Sequence, residues 1–353
     1  MPEEKEQSHL FDDKLRKYED KLVEILLNIG QSKRVNPKMA AIACYLLIHG
    51  KLTQKEIKEL TGFSIGAVST YLSVIIGTGN FRKIRVPHTH TFMYSISGKL
   101  EVLNTKAIEV ALSSLGSIEI YLKNKKEILK KLIAQNKKGA KHLTNRIDEL
   151  IDSFEIYKTI FPSKEISAEE IQTQISSKSL KRSKDEKEDV KELIFDPEVY
   201  YVEDDIINQL LASPMFSSRD PMFIRILGLL MTRKYLTQKT LKRITGLSSG
   251  KISEELNHLL EDKLIYKASI SDKGKITYGA DFLILLRFLK YIINHMTKWI
   301  KELETIKLEL ENNKSELETL DGYTQIYRIY DYTLNTISKF SEYIQKIDKF
   351  VML

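Results

Sequence analysis

The stretch LTQKEIKELTGFSIGAVSTYL at Leu52–Leu72 occurs a second time, as LTQKTLKRITGLSSGKISEEL at Leu236–Leu256. The copies lie 184 residues apart and agree at 11 of 21 positions. Two like halves therefore share one fold. Each copy reads as a helix (Thr53–Leu60; Thr237–Ile244), a Thr-Gly turn and a second helix. Thr53 and Thr237 are placed to cap the first helix, and Ser64 and Ser248 the second. Gly62 and Gly246 fall at the turn, where positive φ costs glycine little. Ile57, Leu60, Val68, Leu72 and Ile75 recur at helical period, as do Leu241, Ile244, Ile252, Leu256 and Leu259. One face of each helix is thus assigned to a core.

The plan extends on both sides. Residues 9–31 form an amphipathic leading helix with Leu15, Leu22, Ile25, Leu26 and Ile29 on one side. Asp196–Ala212 is its counterpart. Asn36-Pro37 and Asp220-Pro221 each open a helix with a cap residue and a first-turn proline. After the repeat, Phe81–Val86 alternates apolar and basic residues as a half-buried strand does, Pro87–His90 turns, and Thr91–Ile96 returns. In the second half Ile265–Ile270, Ser271–Lys275 and Ile276–Gly279 repeat the hairpin. A helix-turn-helix followed by a hairpin is a winged helix, so a mainly α protein with two tandem winged helices is expected.

Long helices follow each hairpin. Leu115, Ile118, Leu122, Lys125, Leu129, Leu132 and Asn136 take steps of three and four, as do Leu303, Ile306, Leu310, Asn313, Leu317 and Leu320. These are heptad seams, and an asparagine at a core position fixes register and partner number. They point to a homodimer through the long helices, with pairing of first half against second within one chain as the alternative. Each long helix breaks, at Gly139 and at Asp321-Gly322. The sequence thus divides into a first unit 1–161 (winged helix 36–96, long helices 98–161), a polar linker 162–195 and a second unit 196–353 (winged helix 220–280, long helices 282–350). Ser167-x-x-Glu170 is placed to cap a short helix inside the linker.

Charge bears on the partner. The chain carries a net +7 and a pI near 9.0, which suits an acidic partner such as nucleic acid. Each repeat with its hairpin contributes a net +5, counting Asn36–Ile96 and Asp220–Ala280. Lys55, Lys58, Arg82, Lys83 and Arg85 dominate the first. Lys239, Lys242, Arg243, Lys251, Lys267, Lys273 and Lys275 dominate the second. Ser64, Ser248, Ser249 and the N–H groups behind them can hold a phosphate, with the hairpin cations reaching the neighbouring backbone.

Base reading falls to the second helix of each repeat. Outward positions are Ala67, Thr70 and Ser73 with Ser69 and Tyr71 at the margin, none able to grip guanine in bidentate fashion. In the second copy Lys251, Ser253 and Asn257 are available, but Glu254 and Glu255 are expected at or near the duplex. His88 and His90 at the first hairpin tip lack a third ligand at metal spacing, so contact with DNA or water is the better reading. Tyr323, Tyr327, Tyr330, Tyr332 and Tyr343 sit at a spacing that suits interhelical packing. No P-loop, nucleophile elbow or metal constellation is present, and neither enzyme activity nor a cofactor is expected. The single Cys44 excludes an intramolecular disulfide. A cytoplasmic protein without a membrane span is the expectation.

Leading helix, winged helix and long trailing helices resemble the MarR/GbsR-type winged-helix regulators of bacteria and archaea. That resemblance rests on Leu52–Leu72, the hairpin after it and their second copy. It implies a homodimer on a pseudo-palindromic operator, sometimes released by a small ligand; no particular effector is indicated. Two features depart from it: one chain carries two modules, and the outward positions are poor in arginine and lysine. A transcriptional regulator is therefore expected. The alternatives are a chromosome-organising, partition or replication protein of low sequence preference, and an adaptor whose winged helices dock protein.

Overall fold

In a computed structural model the described residues are 10–98, 103–161, 192–216, 219–270, 274–281 and 283–351. These residues are mainly helical and form two small sheets. The first half opens with a short turn and α1 (Arg16–Ser32), whose Leu22, Ile25 and Ile29 are buried, as is Leu15 just before it. Asn36 then accepts from the amides of Lys38 and Met39 and starts α2 (Pro37–His49). Strand β1 (Lys51–Thr53) leads into α3 (Gln54–Thr61), where Thr53 and Glu56 form a reciprocal capping box. Gly62 turns the chain at φ +68°, and Ser64 caps α4 (Ile65–Gly77). Strands β2 (Phe81–Arg85) and β3 (Phe92–Ile96) complete a sheet of order β1-β3-β2. Ile42, Leu46, Leu52, Ile57, Val68, Leu72, Ile75 and Tyr94 form the core beneath it. Helices α5 (Leu103–Ala134) and α6 (Ala140–Ile160) follow.

The second half repeats the order: α7 (Pro197–Ala212), α8 (Pro221–Arg233), β4 (Tyr235–Thr237), α9 (Gln238–Thr245), α10 (Ser249–Glu261), β5 (Tyr266–Ile270) and β6 (Ile276–Gly279). Its sheet order, β4-β6-β5, matches the first. Leu52 pairs with Tyr94 and Leu236 with Tyr278, keeping the 184-residue offset at the level of individual pairs. One cap is rebuilt from elsewhere. Thr240 stands where the first repeat has Glu56, and Glu192 supplies the carboxylate instead, accepting from the Thr237 amide at 2.8 Å and its hydroxyl at 3.0 Å. The chain then runs through α11 (Ile284–Thr297), α12 (Ile300–Asn312), the single turn α13 (Lys314–Leu317) and α14 (Tyr323–Val351).

The compact units are interleaved rather than consecutive. One comprises Met1–Ile108, Ser218–Asp220 and Ile292–Glu342; the other comprises Glu109–Ser217, Pro221–Tyr291 and Tyr343–Leu353. The first leading helix and repeat share a unit with α12, α13 and most of α14, and the second share one with α6 and most of α5. Most of α11 stays with its own repeat. This differs from the consecutive division 1–161 and 196–353. In the first unit Glu309 of α12 takes Lys17 at 2.6 Å and the Tyr18 hydroxyl at 2.9 Å, and Tyr330 of α14 donates to the Tyr18 carbonyl at 2.8 Å. In the second, Lys125 of α5 pairs with Asp205 of α7 at 2.7 Å, and Lys158 of α6 with Glu119 of α5 at 2.6 Å.

The heptad seams are used inside these units. Leu115, Ile118, Leu122 and Leu129 are buried in the second unit, and Leu303, Leu310 and Leu317 in the first. Leu132, Ile306 and Leu320 are half-buried. Neither asparagine lies in a seam. Asn136 is exposed at φ +57° just past the end of α5, and Asn313 is exposed at the C-terminus of α12, donating to the Glu309 carbonyl. Both end a helix, a task asparagine performs because it tolerates unusual backbone and bonds locally. Of the linker, residues 162–191, with the proposed Ser167–Glu170 cap, lie outside the described residues. Among the described residues no single helix is long and apolar enough to cross a membrane.

The halves also match at their polar centres. Glu19 on α1 meets His49 on α2 at 2.8 Å, both side chains 3% exposed, with Phe11 stacked on His49 at 4.2 Å. At the same offset Glu203 meets Arg233, with Phe195 under the guanidinium at 4.1 Å.

Cys44 is buried in α2, and burial pushes its thiol up to about 12. Lys33 has its ammonium inside the first unit; burial, reinforced by the Arg219 guanidinium, lowers it to about 8. These shifts set the alkaline behaviour of that unit. Between pH 8 and 9 the unfolded chain holds a Lys33 proton that the folded chain releases, so stability rises. Above 9 the unfolded thiol loses a proton that folded Cys44 keeps, and this opposes the gain. Urea titrations at pH 7.5, 8.5 and 9.5 should therefore show a rise that then levels. Lys33→Met should abolish the rise; a rise that survives this substitution refutes the assignment.

Candidate nucleic-acid interface

Helix α4 buries Val68, Leu72 and Ile75 and turns the opposite side outward. Gly66, Ser69, Thr70, Ser73, Val74 and Gly77 form an exposed stripe, with Ala67 and Tyr71 half-buried at its margin. Ile65 is 51% exposed at its start. A Cβ added at Gly66 or Gly77 would meet nothing within 4 Å, so the stripe is open along its length. Ser64 spends its hydroxyl oxygen on the Ala67 amide at 3.3 Å. Apart from that bond, the first-turn N–H groups have no helical partner upstream, as at any helix start.

Helix α10 has the same backbone and a different surface. Ser248 caps the Lys251 amide at 3.2 Å, and the Ser249 carbonyl accepts from Gln238 at 2.8 Å. Lys251, Glu254, Asn257, His258 and Glu261 are exposed, while Ser253 is half-buried. Lys251 pairs with Glu254 at 3.0 Å, and the lysine holds the Glu254 carboxyl below its usual range. Glu255 does not face outward. It is buried at 6% exposure, on the side of Ile252, Leu256 and Leu259. Spacing explains this: residue 255 lies three after Ile252 and four before Leu259, on the apolar side of the helix.

Cations border each stripe. Lys55 and Lys58 on α3 are exposed, as are Lys239, Lys242 and Arg243 on α9. Strand β2 is an outer strand, and beyond Phe81 it is exposed on both faces, with Ile84 at 38%. The alternating burial expected of it is absent, and the buried positions of the hairpin fall on β3, which lies between β1 and β2. Arg82 donates to Ser95 at 3.2 Å, Lys83 lies 3.8 Å over the Phe92 ring, and Arg85 donates to the Thr89 carbonyl at 3.3 Å. These contacts orient the cations while leaving them exposed. His88 turns the hairpin at φ +60°, and His90 is exposed beside it. Lys267 and Lys275 are exposed on the second hairpin; Lys273 lies outside the described residues.

Among the described residues no three His, Cys, Asp or Glu side chains come together as metal ligands. A cleft of about 430 Å³ is lined by Glu311, Lys314, Glu318, Tyr323, Thr324 and Tyr327. Its tyrosines have structural bonds: Tyr323 donates to the Leu310 carbonyl and Tyr327 to Glu311. Two exposed apolar residues of α4, Ile65 and Val74, are not among the outward positions expected from the sequence. The exposure of Val74 follows from the helix phase set by Val68 and Leu72, whereas Ile65 falls on their side of the helix and is exposed because it is the first residue of α4.

No protein-family model matches the chain, and no curated protein matches it. The geometry of the repeats is therefore what bears on function.

Proposed function

We propose that the two repeats are winged helix-turn-helix modules, that the chain binds double-stranded DNA, and that it acts as a transcriptional regulator rather than an enzyme. One observation carries the reading. Two equivalent helices, α4 and α10, each present an open outward side bordered by exposed cations on the helix before and the hairpin after. A helix of that width fits the major groove, and cations at its flanks meet the phosphates on either side. A single chain supplies the pair of modules. Most of the apolar seam residues are buried within its own compact units, which supports a binding species of one chain over a homodimer joined through those seams.

The test is a salt series with the full chain on duplexes selected from a random pool and on unselected duplexes. Lys83→Ala with Arg85→Ala should weaken binding to both and make the slope of log K against log salt shallower by about 0.9 for each phosphate no longer neutralised. The mass of the complex should correspond to one 40.9 kDa chain per duplex. An unchanged slope removes the hairpin from the interface. Equal affinity for selected and unselected duplexes replaces regulation by binding of low sequence preference.

A further inference from the structure

The two outward stripes occupy equivalent backbones but carry opposite chemistry. Where α10 has Lys251, Glu254, Asn257, His258 and Glu261, α4 has Ala67, Thr70, Ser73, Val74 and Gly77. Helix α4 contains no charged residue at all, although cations border it on both sides. Two of its outward hydroxyl protons are also in use. Thr70 donates to the Gly66 carbonyl at 3.0 Å, and Ser73 donates to the Ser69 carbonyl at 3.0 Å. Along its outward side α4 offers a partner a row of methyl groups, from Ala67, Thr70 and Val74, with the exposed Ser69 hydroxyl at the margin.

We propose that α4 reads thymine through its C5-methyl group, so that the first repeat selects sites by methyl contact while α10 supplies the polar contacts. This rests on the DNA-binding reading above. The thymine methyl is the one apolar group that unmodified base edges present in the major groove. A G·C pair has only the C5 hydrogen of cytosine at that point of the groove, so the same side chains lose their apolar partner there. A protein surface could also cover a methyl row, but the flanking Lys55, Lys58, Lys83 and Arg85 with no carboxylate on α4 favour a polyanion. The Glu56 and Glu59 carboxylates nearby are engaged, with the Thr53 cap and with Lys55.

The experiment uses the full chain and four 30-base-pair duplexes: alternating dA–dT, the same with deoxyuridine for thymidine, alternating dG–dC, and the last with 5-methylcytosine. Deoxyuridine removes only the methyl, and 5-methylcytosine places one at the equivalent point of a G·C pair. Each methyl buried is worth roughly fourfold in affinity, so two of them give on the order of tenfold between the thymidine and uridine duplexes. Methylated dG–dC should bind more tightly than unmethylated. Thr70→Ser keeps the hydroxyl and its bond to Gly66 while deleting one methyl; it should lose about fourfold on dA–dT and nothing on dA–dU. Lys251→Ala should weaken both equally. Equal affinity for the thymidine and uridine duplexes would falsify methyl reading and leave DNA binding intact. Discrimination that survives the combined Ala67→Gly, Thr70→Ser and Val74→Ala substitutions also overturns it, by placing the reader elsewhere. No binding to any duplex at low salt defeats the DNA-binding reading itself, and methyl reading with it.

Discussion

Arg233→Met is expected to destabilise the second unit by about 3–5 kcal/mol, the cost of leaving a buried charge without its partner. Glu203 is fully buried. Its carboxylate accepts from the Thr232 hydroxyl at 2.7 Å and from Arg233 Nε at 2.8 and 3.0 Å, with Arg233 Nη2 as a further donor. Arg233 Nη1 also donates to the Leu193 carbonyl at 3.1 Å, and the guanidinium lies on the Phe195 ring. Methionine retains much of the volume and none of the donors. The double substitution Glu203→Met with Arg233→Met removes both charges and should recover most of the loss, since a buried pair is often no better than apolar packing. Urea unfolding followed by circular dichroism reads both variants. A loss below about 1 kcal/mol in the single variant would show water reaching Glu203, against its burial.

Gly322→Ala and Gly139→Ala should each cost about 2–5 kcal/mol, combining a left-handed backbone penalty of about 1–2 with overpacking of about 1–3. Their φ values are +101° and +91°. A Cβ would come within 2.4 Å of Phe11 at Gly322 and 2.3 Å of Phe195 at Gly139. Neither ring can swing away without leaving its stack on His49 or Arg233. Gly62→Ala is the internal control, because at φ +68° its Cβ meets nothing within 4 Å and only the backbone penalty applies. The only tryptophan, Trp299, belongs to the first unit, so its fluorescence follows Gly322→Ala and Gly62→Ala in the same body. If the two substitutions cost the same, the ring contact contributes nothing.

What is legible in the sequence is local. Caps at Thr53, Ser64, Thr237 and Ser248, turns at Gly62 and Gly246, and the matching of Tyr94 with Tyr278 all depend on residues a few positions away or on the repeat itself. The exchange of trailing helices is not local. A seam such as Leu115–Leu129 presents the same pattern whether it meets its own half, the other half or another chain. Asn136 and Asn313 fit a heptad count that continues past the point where each helix stops, and Gly139 and Gly322, three and nine residues on, are the signs of that stop. Glu255 is a misplacement of a different kind, since a charged side chain on the apolar side defies the polarity rule for helix faces. The matched centres Phe11–Glu19–His49 and Phe195–Glu203–Arg233 stand at the same 184-residue offset, yet the recognisable repeat starts only near Asn36, after two of the three residues have passed.

The exchange also governs the order in which the protein can be completed during synthesis. When residue 161 has left the ribosome, the first repeat exists but Glu309, Tyr330 and the other partners of its leading helix have not been made, while α5 and α6 wait for Asp205 and Phe195. Neither unit can close until the second half emerges, and the first closes only with the last helix. A cut within 162–191 should accordingly leave two fragments that remain associated, each unit holding pieces of both, whereas either fragment expressed by itself would expose the apolar face meant for the other.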